Sequence, residues 1–249
     1  GETGGKNFHV VHESADILST VNQTIRGAFE FQGQKCSASS KLFVPETIWP
    51  EFKKLLLEKV SELKQGGPED FTAFCGPVIN KIAFEKIKTY IEYGKEHSKL
   101  LFGGNVDDSK GFFIQPTIFE TDQLNFKLME EEIFGPVLTV YVYPAAEYEK
   151  YLKIVGAYGK YALTGSIFAK DREAQVLASE SLRHAAGNFY INDKSTGAVV
   201  GQQPFGGSRL SGTNDKAGSL MNLLRWTSMR TIKENLLPLN DFRYPSNFQ

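Results

Sequence analysis

Two side chains set among glycines are the best equipped in this sequence for covalent chemistry. Cys36 lies in Gln32-Gly33-Gln34-Lys35-Cys36-Ser37-Ala38, and Glu2 lies upstream in Gly1-Glu2-Thr3-Gly4-Gly5-Lys6. A cysteine thiolate can add to an aldehyde carbon, give up hydride to a cofactor, and remain as a thioester that water must hydrolyse. A carboxylate within reach would activate that water as a general base. A free thiol ionises at about pH 8.5, so such a site must favour the thiolate through nearby backbone N–H groups or a transient proton acceptor. Cys75, in Ala73-Phe74-Cys75-Gly76-Pro77, has no such company and reads as structural.

Two further runs follow in order, Glu131-Glu132-Ile133-Phe134-Gly135-Pro136-Val137 and Pro204-Phe205-Gly206-Gly207-Ser208. With the first two they resemble the aldehyde dehydrogenase superfamily. The run Ala186-Gly187-Asn188-Phe189-Tyr190-Ile191-Asn192-Asp193-Lys194-Ser195-Thr196-Gly197, followed by Gly201-Gln202-Gln203-Pro204, is similar to its glutamate-γ-semialdehyde dehydrogenase branch. The likeness covers nearly the whole chain, including Ser211-Gly212-Thr213-Asn214-Asp215 and Leu224-Arg225-Trp226-Thr227-Ser228.

The resemblance implies roles residue by residue. Cys36 would be the nucleophile and Glu2 the general base. Glu130-Glu131-Glu132 would ordinarily be a solvated acidic face, but the family match makes Glu132 an acceptor for the nicotinamide-ribose hydroxyls of NAD, with Phe134 packed near the nicotinamide. A carboxylate facing a vicinal diol is sound chemistry, since the anion accepts from two donors. The loop from Ser195 to Gly201 would bind a substrate α-carboxylate through the amides of Gly197 and Ala198, with the Ser37 hydroxyl opposite and Phe205 against the aliphatic chain. Many members of the branch carry serine where Ala198 stands, which leaves one hydroxyl contact fewer here.

The implied reaction is NAD-dependent oxidation of L-glutamate γ-semialdehyde, the open form of Δ1-pyrroline-5-carboxylate, to L-glutamate in proline breakdown. A homo-oligomer, dimer or larger, in the mitochondrial matrix is implied with it. Two other readings stand beside this one: a dehydrogenase for another semialdehyde or an aliphatic aldehyde, and a catalytically silent piece that keeps only a subunit-contact surface. The chain opens at Gly1 inside a motif, and no G-x-G-x-x-G follows a strand, so a catalytic-domain fragment lacking the amino-terminal Rossmann-type NAD domain is expected.

These residues need a scaffold, and the sequence supplies an α/β rhythm. Asn7 to His12 reads as a short strand, and Ser14-Ala15-Asp16 then caps a helix through Ile17, Val21, Ile25 and Phe29 that should end near Gly33, placing Cys36 on the loop beyond. Lys41 to Val44 reads as a strand and Trp49 to Leu63 as an amphipathic helix. A helix from Ile82 to Tyr93, a strand at 99–102 and an extended stretch at 112–119 follow. Strands at 138–143, 166–169 and 188–192 are separated by helices near 147–155 and 172–182. Such alternation argues an α/β domain with a largely parallel sheet flanked by helices. Residues 1–213 are expected to form the catalytic domain, and 214–249 a tail with a subunit-contact strand.

Composition narrows the rest. The 249 residues are 41% apolar and 23% charged, the profile of a globular protein. A net charge of −1 gives no field to hold nucleic acid, and no apolar run approaches the roughly 20 residues of a membrane span. Two cysteines without CxxC spacing and four scattered histidines suggest neither a disulfide framework nor a metal site.

Overall fold

The computed structural model describes residues 1–248. In chain order, β1 (Asn7–Val11), α1 (Ile17–Phe29), β2 (Ser39–Pro45), α2 (Trp49–Ser61) and α3 (Lys81–His97) lead into β3 (Lys99–Phe102). Next come β4 (Val106–Asp107), β5 (Phe113–Ile114), β6 (Thr117–Thr121), α4 (Lys127–Glu130), β7 (Val137–Tyr143) and α5 (Tyr148–Ala157). The chain ends through β8 (Tyr161–Ala162), β9 (Thr164–Phe168), α6 (Arg172–Ser181), β10 (Asn188–Ile191), β11 (Ser208–Arg209) and α7 (Leu220–Leu223).

Seven strands form the central sheet in the order β10-β9-β1-β2-β7-β6-β3. Every neighbouring pair is parallel except β6 with β3, so the expected parallel sheet carries one antiparallel edge. All five residues of β1 are buried, as both faces of a parallel sheet must be. On one face α1 and α2 set Val21, Ile25, Phe52 and Leu56 against Leu42 and Val140. On the other, α3, α5 and α6 set Ile87, Ile91, Leu152 and Ala178 among Phe43, Tyr141 and Ile167. Caps fix the helix starts: the Asp16 carboxylate accepts from the Ser19 amide at 3.1 Å, and Asn80 accepts from Ala83 at 2.9 Å.

Where the sequence and the structure part, the reasons are local. α1 stops at Phe29, and a single 3-10 turn carries the chain to Gly33 with Phe31 and Gln32 at φ of 56° and 58°. Left-handed backbone cannot continue a helix, and this turn swings Cys36 onto its loop before β2. In the tail no strand forms among residues 214–248; only α7 and short 3-10 turns do. No helix among the described residues is long and apolar enough to cross a membrane.

Candidate active site

The site lies at the carboxyl-terminal side of α1 and in front of the starts of β1 and β2, where three loops meet. The first is residues 1–6. Its backbone is tied to a distant loop: the Thr3 amide donates to Ser211 O at 3.1 Å, the Thr213 amide donates to Gly1 O at 3.0 Å, and Glu2 bridges Gly212. Glu2 is therefore held by its own neighbours. Its carboxylate accepts from the Cys36 thiol at 3.5 Å.

The second loop carries Cys36 and is pinned by Asn7. The Asn7 side-chain amide donates to Cys36 O at 2.7 Å and to Ala38 O at 2.8 Å, while its oxygen accepts from the Thr164 amide at 3.1 Å. Gly5 has to be glycine, because a Cβ there would collide with the Cys36 carbonyl oxygen. Sequence reasoning asks for surroundings that favour the thiolate; those observed favour the thiol. Burial first, and the Glu2 charge second, push Cys36 up to about 11, with a Ser37 backbone hydrogen bond pulling the other way. Among the described residues no cation offsets the two. At rest Cys36 is a protonated thiol donating toward the Glu2 carboxylate.

The third loop is 194–198. Ser195 and Thr196 are buried, whereas Gly197 is exposed at φ +87°, a left-handed conformation that favours glycine. The Ser37 hydroxyl meets Thr196 Oγ1 at 2.7 Å, so Ser37 faces this loop directly. The amides of Gly197 and Ala198 find no acceptor among the described residues, while the next amide, Val199, donates to Gln203 Oε1 at 2.8 Å.

An open cleft of about 710 Å³ joins these parts, with Glu2, Cys36, Ser37, Phe134, Gly197, Ala198 and Phe205 on its walls. Phe205 is anchored by paired backbone bonds with Ala217 at 2.9 and 2.8 Å. Glu132 stands just behind, with Gly5 and Phe134, in an adjoining small pocket. One of its oxygens accepts from the Gly5 amide at 2.9 Å, which leaves the other for a ligand. Phe134, at φ +60°, is 42% exposed toward the cleft. A second cleft of about 760 Å³, between α1 and the segment after α2, is lined by Asp16, Asn22, Arg26 and Lys59 and contains none of the sequence-predicted residues.

Several residues that hold the site escape a reading of the sequence. Asn7, His9, Thr164, Ser195 and Thr196 form a buried polar layer beneath the cleft. The available signal is the alternation of Asn7 and His9 with Phe8 and Val10 in β1, polar side chains at period two on a strand both of whose faces are covered. Lys6 is likewise buried, its ammonium without a hydrogen-bond partner among the described residues, and burial together with the Lys41 charge pulls it down to about 7.

Comparison with known proteins adds a lineage. The pattern of the Aldehyde dehydrogenase family matches residues 1–232. The mitochondrial Delta-1-pyrroline-5-carboxylate dehydrogenase of Dictyostelium discoideum is 56% identical over 247 residues, 98% of this chain and 44% of that protein. The human protein of the same name is 52% identical over 247 residues, again 98% of this chain and 44% of its own length. The crystal structure of the Delta-pyrroline-5-carboxylate dehydrogenase from Mycobacterium tuberculosis bound with NAD superposes with a TM-score of 0.88 at 47% identity, covering 99% of this chain and 45% of that one. The chain thus spans somewhat less than half the length of the relatives it matches.

Proposed function

Because the chain belongs to the aldehyde dehydrogenase family, we propose that it is the catalytic part of an NAD-dependent dehydrogenase that oxidises L-glutamate γ-semialdehyde to L-glutamate. The observation that carries this reading is the pair formed by the Cys36 thiol and the Glu2 carboxylate at 3.5 Å, in a cleft also lined by Gly197 and Ala198, whose amides find no acceptor among the described residues.

Each residue then has one task. Glu2 takes the thiol proton as Cys36 sulfur bonds to the aldehyde carbon, giving a thiohemiacetal whose oxyanion the Cys36 backbone N–H would hold. Bound NAD would supply the hydride acceptor needed to oxidise this adduct to the thioester. The residues present fit one wall of a nicotinamide site: Glu132 keeps a free carboxylate oxygen for the ribose hydroxyls, and Phe134 turns its ring to the cleft. Once the proton taken from the thiol has passed to solvent, Glu2 withdraws one from a water whose oxygen attacks the thioester; the carbon–sulfur bond breaks, glutamate leaves, and the departing sulfur takes up a proton to restore the thiol. Gly197 and Ala198 would receive the substrate carboxylate with two backbone donors, and Phe205 would cover the chain between the two ends.

Two of the relatives are named mitochondrial, which supports a setting in mitochondria, and their Delta-1-pyrroline-5-carboxylate substrate fits the proposed reaction. In the full-length enzyme, Cys36→Ala should abolish NADH formation from the semialdehyde while leaving the thermal transition close to wild type, since one half-buried sulfur contributes little packing. Appreciable turnover by well-folded Cys36→Ala protein would remove the nucleophile from the account.

A further inference from the structure

We propose that His9 is a positioning residue for substrate recognition, fixing from within the sheet the root of the loop that presents the Gly197 and Ala198 amides. The inference rests on the reading of that loop as the carboxylate site.

His9 lies in the middle of β1 and is completely buried. Its neighbours along the strand, Phe8, Val10 and Val11, are apolar, and an apolar residue would satisfy packing at position 9 as well. An imidazole is tolerated at full burial only if both nitrogens are engaged. Both are. The Ser195 amide donates to Nε2 at 3.3 Å, which leaves Nδ1 to carry the proton and donate to Thr24 Oγ1 at 3.2 Å. Burial pulls the ring down to about 3, so it stays neutral and this donor–acceptor order is fixed at physiological pH.

Ser195 is the pivot of the loop. Its hydroxyl donates to Ser37 O at 3.2 Å, and the next residue, Thr196, meets the Ser37 hydroxyl at 2.7 Å. These contacts tie the loop sideways to the nucleophile loop, but neither reaches the Ser195 backbone. Among the described residues His9 alone holds that backbone, and α1 holds His9 in turn through Thr24. One residue beyond Thr196 the chain becomes exposed, so the placing of the two free amides depends on this buried root. A carboxylate-bearing substrate would sense a shift there. An aldehyde without one would not.

The test uses the full-length enzyme with two variants. His9→Asn keeps a donor near the Nδ1 position and loses the acceptor at Nε2, whereas His9→Gln can offer an acceptor near Nε2. The measurements are steady-state kinetics with glutamate semialdehyde and with pentanal, and hydrogen exchange of peptides covering residues 195–198. His9→Asn should raise KM for the semialdehyde roughly three- to tenfold, the loss of about one neutral hydrogen bond, with kcat within about twofold. Its kcat/KM for pentanal should be unchanged, exchange at 195–198 should accelerate, and His9→Gln should stay close to wild type. Equal losses with both aldehydes, or unchanged exchange in His9→Asn, would overturn the proposal. If the wild-type enzyme itself fails to prefer the carboxylated aldehyde, the substrate reading falls, and the exchange rates alone decide the positioning. Should His9→Asn not fold, His9→Gln carries the test: the proposal requires it to keep the wild-type KM, and a rise of about tenfold contradicts it.

Discussion

Cys36 and Glu2 act on each other before any substrate arrives. The carboxylate is the second cause, after burial, of a thiol pushed up to about 11, so Glu2→Gln should lower that value and speed alkylation of Cys36 at pH 8. Iodoacetamide labelling across pH, read at the Cys36 peptide to exclude the buried Cys75, is the measurement; an unchanged or raised midpoint would contradict the coupling. The same substitution in the full-length enzyme should separate the two halves of the reaction, leaving a burst of NADH followed by slow turnover, because thioester hydrolysis would lose its proposed base. Equal loss of both phases would count against that role. Gly197 carries a different constraint. Its φ of +87° penalises any side chain, so Gly197→Val should displace the loop and raise KM for the semialdehyde well above any change in kcat.

Among the elements, β1 does most to shape the site, because it supplies Asn7 and His9 to the polar layer under the cleft. Asn7→Ala leaves two carbonyls and the Thr164 amide without their partner, and should cost roughly 2–4 kcal/mol in a denaturant titration. A loss under about 1 kcal/mol would show that water replaces the side chain at little cost. His9 gives β1 a pH signature. Its folded value of about 3 lies below the ordinary 6.5, so the neutral ring contributes stability that is fully present above pH 6.5 and is lost as pH falls toward 3. The full span corresponds to something on the order of 5 kcal/mol, and His9→Gln should flatten the acid limb of the stability curve. The helices and parallel strands around β1 are legible in the sequence, because β-branched and aromatic runs such as 138–143 alternate with amphipathic helices such as 49–61. The end of α1 is not, since the left-handed turn at Phe31 and Gln32 leaves no trace in residue type. Strand order and the antiparallel β3 edge depend on pairing across long stretches of chain, which local pattern does not encode. Cys36, Glu2, Glu132 and the 195–201 loop stand out as motifs, whereas Asn7 and His9 become visible only when the neighbours of β1 are known.

At the scale of the molecule, a net charge of −1 provides no long-range steering, and recognition has to come from the cleft. The tail beyond residue 214 exposes Trp226, Met229, Leu236 and Phe242, each more than 80% accessible. That much apolar surface should drive this chain to self-associate, and light scattering of the isolated 249 residues should find dimers or larger species. A monodisperse monomer would show that the tail folds back on itself. On the proposed reading the arrangement selects an aldehyde with an anion at its far end, since donors left unpaired in the cleft would penalise a substrate lacking the carboxylate by about 2–4 kcal/mol. The direct measurement is kcat/KM of the full-length enzyme for glutamate semialdehyde against pentanal. A preference of about 30-fold or more for the semialdehyde is the predicted result, the ratio that 2 kcal/mol gives; comparable values for the two aldehydes would contradict it.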